Sequence, residues 1–217
     1  REGMFVIGTV ARLAQHKGHD DVLDALGKEL GARRDWVLLW VGDGWWRERL
    51  VARAREMGLA VREMDREDAS ARGEDRPQVM VTGLVPPERI PGLMRAMDVL
   101  VHPSYREGLP RTVPQALLAG TPVVASDVDG TREACVDPSI AGEGGATGLL
   151  FPAGDAARLH ESVVWMHEHP LERAAMAERG RRMCAKEYDA EVMVARLEEV
   201  YARARSVPTP GPAGAGR

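Results

Sequence analysis

Short apolar runs alternate along this chain with longer stretches in which apolar residues recur every three or four positions. That alternation constrains the fold more than any other feature. The runs MFVIGTV at 4–10, WVLLWV at 36–41, QVMVTGL at 78–84, DVLVHP at 98–103 and PVVASD at 122–127 read as strands buried on both faces. GLLFP at 148–152 reads as a shorter sixth. Helical patterns cover 20–30, 45–57, 87–97, 112–119, 155–168, 171–186 and 190–205, with Asp155 and Asp189 placed as N-caps of the first and last of the final three. Strands separated by helices pair in parallel, and the crossovers put helices on both faces. The expected fold is therefore a Rossmann-like, three-layer α/β/α parallel sheet.

The 217 residues allow one such domain with a substantial core and fall short of two. Hydrophobic residues make up 44% and charged residues 29%, the balance of an ordinary globular chain. The net charge is −4 with basic residues scattered, which argues against a nucleic-acid surface. The two cysteines, Cys135 and Cys184, lack metal spacing and fit core or surface thiols in a reducing cytoplasm. No signal peptide is recognisable, and no apolar run reaches the ~18 residues that span a bilayer. The chain opens at Arg1, close to its first strand, which suggests a piece of something longer. Ten charged residues in the sixteen of 62–77 read as a solvated, partly disordered insertion. VPTPGPAGAGR at 207–217 reads as a disordered tail, leaving 1–206 as the folded unit.

Chemistry-bearing residues gather where the strands end. In an open parallel sheet, ligands bind outside the carboxyl ends of the strands. The first strand runs into GTVARLAQHKG, which puts Arg12 and Lys17 at that edge, either as diphosphate contacts or as ordinary surface cations. Neither GxGxxG nor GxxxxGK[ST] occurs, which disfavours a dinucleotide oxidoreductase and a P-loop enzyme. VGDGWWRERL gives a tight turn around Asp43, and VTGLVPPERI puts Gly83 and Val85 at another strand end. His102 reads as structural, while Ser104 and Tyr105 lie in the loop leading to Glu107. Residues 107–124, EGLPRTVPQALLAGTPVV, place Glu107 in a Gly/Pro turn before a short helix whose start can hold an anion. Within that helix, Thr112 and Gln115 have capping-box spacing.

The 107–124 segment resembles the donor-sugar signature of retaining, nucleotide-sugar-dependent glycosyltransferases of family 4 (the group 1 family), Glu-x7-Glu followed by Ala-x-x-x-Gly-x-Pro-Val-Val. Gln115 stands where the pattern has its second Glu. The resemblance extends over about 4–200, through Gly130 and the AGEGGATGLLFPAGD passage at 141–155. It implies the C-terminal, donor-binding half of a two-domain GT-B enzyme, with an N-terminal acceptor domain outside this chain as its partner. By the same resemblance Glu107 orients the donor sugar and is the catalytic residue, and Arg12 and Lys17 hold the diphosphate. Gly83 and Val85 face the base through their backbone, and Gln115 contacts the ribose if it has a ligand role beyond capping. Ser104, Gly108, Leu109 and Pro110 complete the donor loop. The implied donor is a UDP-, GDP- or ADP-sugar, transferred to an acceptor hydroxyl with retention, without metal or cofactor. The isolated half is expected to lack turnover. A cytoplasmic setting follows, with membrane association at its inner face only through the absent half. Another GT-B enzyme, such as a nucleotide-sugar 2-epimerase, and a non-catalytic nucleotide-binding module stay open as alternatives.

Overall fold

A computed structural model describes residues 3–65, 76–142 and 144–206. Its seven strands are β1 (Phe5–Val10), β2 (Trp36–Val41), β3 (Val61–Glu63), β4 (Val79–Val81), β5 (Val99–His102), β6 (Val123–Ser126) and β7 (Gly148–Phe151). They form one sheet in the order β3-β4-β2-β1-β5-β6-β7, and every adjacent pair is parallel. β1 sits at its centre and pairs with β2 over its whole length, from Phe5 opposite Trp36 to Val10 opposite Val41.

Because side chains alternate across a strand, one sequence run feeds two cores. Phe5, Ile7, Trp36, Leu38 and Trp40 face one side, packed under α1 (His19–Ala32), α2 (Arg47–Glu56) and α7 (Ala156–Glu168). Val10, Leu39, Val41, Leu100 and Val123 face the other, against α3 (Ile90–Arg95), α4 (Thr112–Leu118) and α8 (Pro170–Glu187). Trp36, Trp40, Ile7 and Leu38 are almost wholly buried, and each such side chain contributes ~1.5–3 kcal/mol from its removal from water. Among the described residues this is the three-layer arrangement that the alternation predicts.

Asp155 caps α7 by accepting the Arg158 N–H at 2.9 Å. Asp189 accepts the Glu191 N–H at 2.8 Å at the start of α9 (Ala190–Ser206). Met193, Val194, Leu197, Val200 and Tyr201 on α9 are exposed. Cys135 and Cys184 are free and buried, and burial pushes both thiols up.

One expectation needs correction. The charged run from 62 does not begin as loose insertion, because Val61–Glu63 forms the edge strand β3. Arg47 then takes the carboxylates of Glu63 and Asp65, which gives this charged segment a partner inside the fold. Residues 66–75, the rest of the proposed insertion, and the 207–217 tail lie outside the described residues. The stretch after β6 also holds two four-residue helices, α5 (Thr131–Ala134) and α6 (Pro138–Ala141).

Candidate functional site

β1 and β5 are neighbours, so the loops leaving their carboxyl ends meet. After β1 the chain makes one 3₁₀ turn at Gln15–Lys17 and leaves it through Gly18, at φ 68°. A Cβ on Gly18 would lie 2.0 Å from the Pro103 carbonyl oxygen, so only glycine lets the two loops touch here. The Tyr105 N–H donates to the His16 carbonyl at 2.9 Å, and the Tyr105 hydroxyl donates to Asp21 Oδ1 at 2.9 Å. Held in this way, Lys17 Nζ donates to Glu107 Oε1. His102 Nε2 lies 3.2 Å from the same oxygen. His102 Nδ1 is 3.2 Å from the Thr112 hydroxyl.

Burial opposes ionisation of Glu107, but its neighbours His102, Lys17 and Ser104 outweigh that and hold its carboxyl down at about 2. The group is a carboxylate at any physiological pH. Burial and the bond to Asp21 push the Tyr105 phenol up to about 12, so it stays a donor. His19, buried one position beyond Gly18, is lowered to about 3 by burial and packs as a neutral ring edge-on to Trp40, 5.6 Å between centroids.

The loops after β1 and β2 are tied by backbone bonds, Leu13 N–H to Asp43 at 3.0 Å and Trp46 N–H to Leu13 at 3.1 Å. This brings the exposed Arg12 guanidinium over the Trp45 ring, 5.5 Å from its centroid. Farther along the edge, Gly42 bridges to Gly83. Gly83 has φ 69°, and a Cβ there would meet the Asp65 carboxylate at 2.0 Å. Asp65 is itself held by Arg47 Nη1 at 2.8 Å, while Arg47 Nε reaches Glu63 at 2.9 Å. Arg47 is 2% exposed, so the Gly83 turn rests on an ionic cluster whose cation is buried.

The structure thus brings Lys17 and Glu107 into contact, with Arg12 at the adjoining loop. Gly108 and Leu109 are exposed beside Glu107, and Pro110 is buried. Ser104 lies beneath the site, 1% exposed, and its carbonyl accepts from the Ser126 hydroxyl. Val85 stands beyond the β4 end, packed against the core that carries α3 and α4, with Gly83 in the turn before it. Gln115 is exposed on α4. The capping box does not form: no side chain caps α4, and the Thr112 hydroxyl turns to His102 instead.

His102, structural on its sequence context, lies against Glu107. Its one sequence signal was a polar residue ending an apolar strand. Arg47 gave no signal, because an arginine in the first turn of a helix ordinarily faces water.

The all-parallel seven-stranded sheet with helices on both faces is the Rossmann-like arrangement of one half of a GT-B enzyme. The chain belongs to the family described as glycosyl transferases group 1, whose pattern matches residues 4–169. It is 33% identical to a 2-deoxystreptamine glucosyltransferase of Streptomyces kanamyceticus, over 94% of this chain and 48% of that protein. It is 29% identical to a GDP-mannose-dependent monoacylated alpha-(1-6)-phosphatidylinositol monomannoside mannosyltransferase of Corynebacterium glutamicum, over 90% of this chain and 46% of that one. In fold it matches Anabaena Alr3699/HepE, solved with UDP-glucose, at TM-score 0.72 and 23% identity, over 92% of this chain and 49% of that chain. The C-terminal domain of a group 1 glycosyl transferase from Francisella tularensis matches at TM-score 0.68 and 19% identity, over 86% and 87% of the two chains. The chain spans about half the length of the curated relatives it matches. None of the described helices is long and apolar enough to cross a membrane.

Proposed function

We propose that this chain is the donor-binding half of a retaining hexosyltransferase, holding a nucleoside diphosphate sugar for transfer to an acceptor hydroxyl. The observation that carries this reading is the contact between Lys17 and Glu107 at the ends of adjacent central strands. A cation for the departing diphosphate and a carboxylate for the sugar hydroxyls are thereby fixed within one bond of each other.

Arg12 and Lys17 offset charge that builds on the diphosphate as its bond to the sugar carbon breaks. Glu107, ionised and partly buried, accepts hydrogen bonds from sugar hydroxyls and fixes the ring's orientation. The backbone at Gly83 and Val85 meets the base edge, and Gln115 meets the ribose from the exposed face of α4. Ser104 supports Glu107 from below, and Gly108, Leu109 and Pro110 shape the loop over the donor. The relatives named above differ in nucleotide, UDP-glucose in one and GDP-mannose in another, so the base is left to experiment. The other half of the cleft supplies much of the acceptor site, and without it the chain binds donor but does not turn over.

Calorimetry of this chain with UDP, GDP and ADP tests the assignment. Binding of at least one, weakened in both Arg12→Ala and Lys17→Ala, supports it. Binding of none, or affinity unchanged in both variants, rejects it.

A further inference from the structure

Lys17 and His102 meet the same oxygen of Glu107, and the fold holds them differently. His102 closes β5 and pairs in register with Ala125 of β6, and its carbonyl accepts from the Ser126 hydroxyl at 3.3 Å. The residue is 3% exposed, so close packing leaves its ring little room to turn. Lys17 reaches Oε1 from a 3₁₀ turn, through a flexible four-carbon stem. A ligand can draw the lysine away, whereas the imidazole stays where the strand puts it.

The neighbours of the ring say where its hydrogen lies. Glu107 is ionised, and a carboxylate only accepts. Nε2, 3.2 Å from Oε1, is therefore the nitrogen that carries hydrogen. In a neutral ring Nδ1 is then bare and accepts from the Thr112 hydroxyl, 3.2 Å away. That hydroxyl is available to the ring because it caps nothing in α4. The hydrogens of Thr112 and His102 thus point one way, toward Glu107, and bonds aligned in that order polarise one another. His102 and Thr112 also bound the loop that carries Glu107, so the acid is steered by the two ends of its own loop.

We propose that His102, steered by Thr112, is a positioning residue that keeps Glu107 in place when a bound diphosphate draws Lys17 away. The part played by the diphosphate rests on the donor reading above; the hydrogen on Nε2 does not. Calorimetry on this chain with UDP, GDP and ADP, which bring no donor sugar, tests it, because the released carboxylate then leans on His102. His102→Leu should weaken the tightest of the three about tenfold, the size of one bond to a charged group. Thr112→Val should weaken it about threefold, and Thr112→Ser should restore it. In a Glu107→Gln background no charge is stranded, so adding either substitution should change affinity less than twofold. A residue that only shaped the loop would cost the same in both backgrounds. Equal losses in the two backgrounds, or no loss from Thr112→Val, overturn the proposal, and the Thr112 variants decide it if His102→Leu does not fold. Long-range ¹H–¹⁵N NMR of the ligand-free chain reads the ring directly, with the His102 signals recognised by their response to Thr112→Val. Hydrogen on Nε2 is expected, and a bare Nε2 overturns the proposal whatever the nucleotides do. Hydrogen on Nε2 with no nucleotide bound by the wild type overturns the donor reading and the positioning role with it. Nucleotide binding with equal losses in both backgrounds overturns the positioning role alone.

Discussion

Lys17 and Glu107 lie ninety positions apart in sequence and are joined by a hydrogen bond at the carboxyl edge of the sheet. The residue assigned to the diphosphate and the residue assigned to the sugar thus neutralise each other. On the proposed reading a bound diphosphate would compete with Glu107 for Lys17, and the carboxylate it displaces would turn to the sugar hydroxyls.

That exchange makes the two cations unequal. Removing either charge-assisted contact is expected to weaken UDP by ~1.5–3 kcal/mol. Arg12→Ala should fall near the top of that range, because Arg12 gives up only its place over Trp45, whereas Lys17 must first leave a carboxylate. Calorimetry on the two variants reads the order directly, and a larger loss for Lys17→Ala would contradict the competition.

Glu107 links the site to acid stability. Its folded value of about 2 lies below the ordinary 4.5, so ionised Glu107 contributes stability that is full above 4.5 and lost as pH falls toward 2. Glu107→Gln lacks that dependence. Melts at pH 6 and pH 3 should therefore show the wild type losing ground to Glu107→Gln on acidification. Parallel curves would mean that His102 and Lys17 do not hold the carboxylate in solution. UDP affinity in Glu107→Gln should equal or exceed that of the wild type, since Lys17 is freed.

Gly18→Ala tests the contact between the loops. The new Cβ meets the Pro103 carbonyl at a residue with φ 68°, where an L side chain is strained. Urea denaturation should register a loss of ~1–3 kcal/mol, and UDP binding should weaken because Lys17 is displaced from the site. Full affinity in a destabilised variant would show that the diphosphate does not depend on this loop.

Arg47→Met leaves Glu63 and Asp65 without their shared cation. Breaking a buried pair costs ~3–5 kcal/mol, and the partial exposure of Asp65 puts the expected value at the low end. Equilibrium unfolding measures it, and a change under about 1 kcal/mol would show that water replaces the cation at this cluster.

Gln115→Glu now has a clean reading. Since neither Thr112 nor any other side chain caps α4, the substitution has no capping bond to strengthen. Tighter UDP binding at nearly constant melting temperature is expected if the residue contacts ribose. A higher melting temperature with unchanged affinity would remove Gln115 from the site.

The sheet was legible because its central strands are continuous apolar runs flanked by helical periodicity. β3 escaped notice because only Val61 in it is apolar, and its two other residues open a charged run. An edge strand of three residues needs no hydrophobic signature when a neighbour supplies its pairing, as β4 does here. Arg12, Lys17 and Glu107 each lie in a loop after a strand end, where ligands of such a sheet gather, but their assignment to a donor rests on the family resemblance. The sequence spacing could not show that Lys17 and Glu107 touch, because contact depends on β1 and β5 being neighbours. Nor could it show the contacts of His102 and Arg47, whose partners, Glu107, Glu63 and Asp65, reach them through strand order and loop packing.

The double attachment of Tyr105, by its backbone to His16 and by its phenol to Asp21, also governs how the site can move. The two loops are fastened to each other on either side of the Lys17–Glu107 bond. A hinge motion of this half would therefore carry the two loop backbones together. Opening and closing can then set the rate at which ligands come and go without parting the loops that meet them.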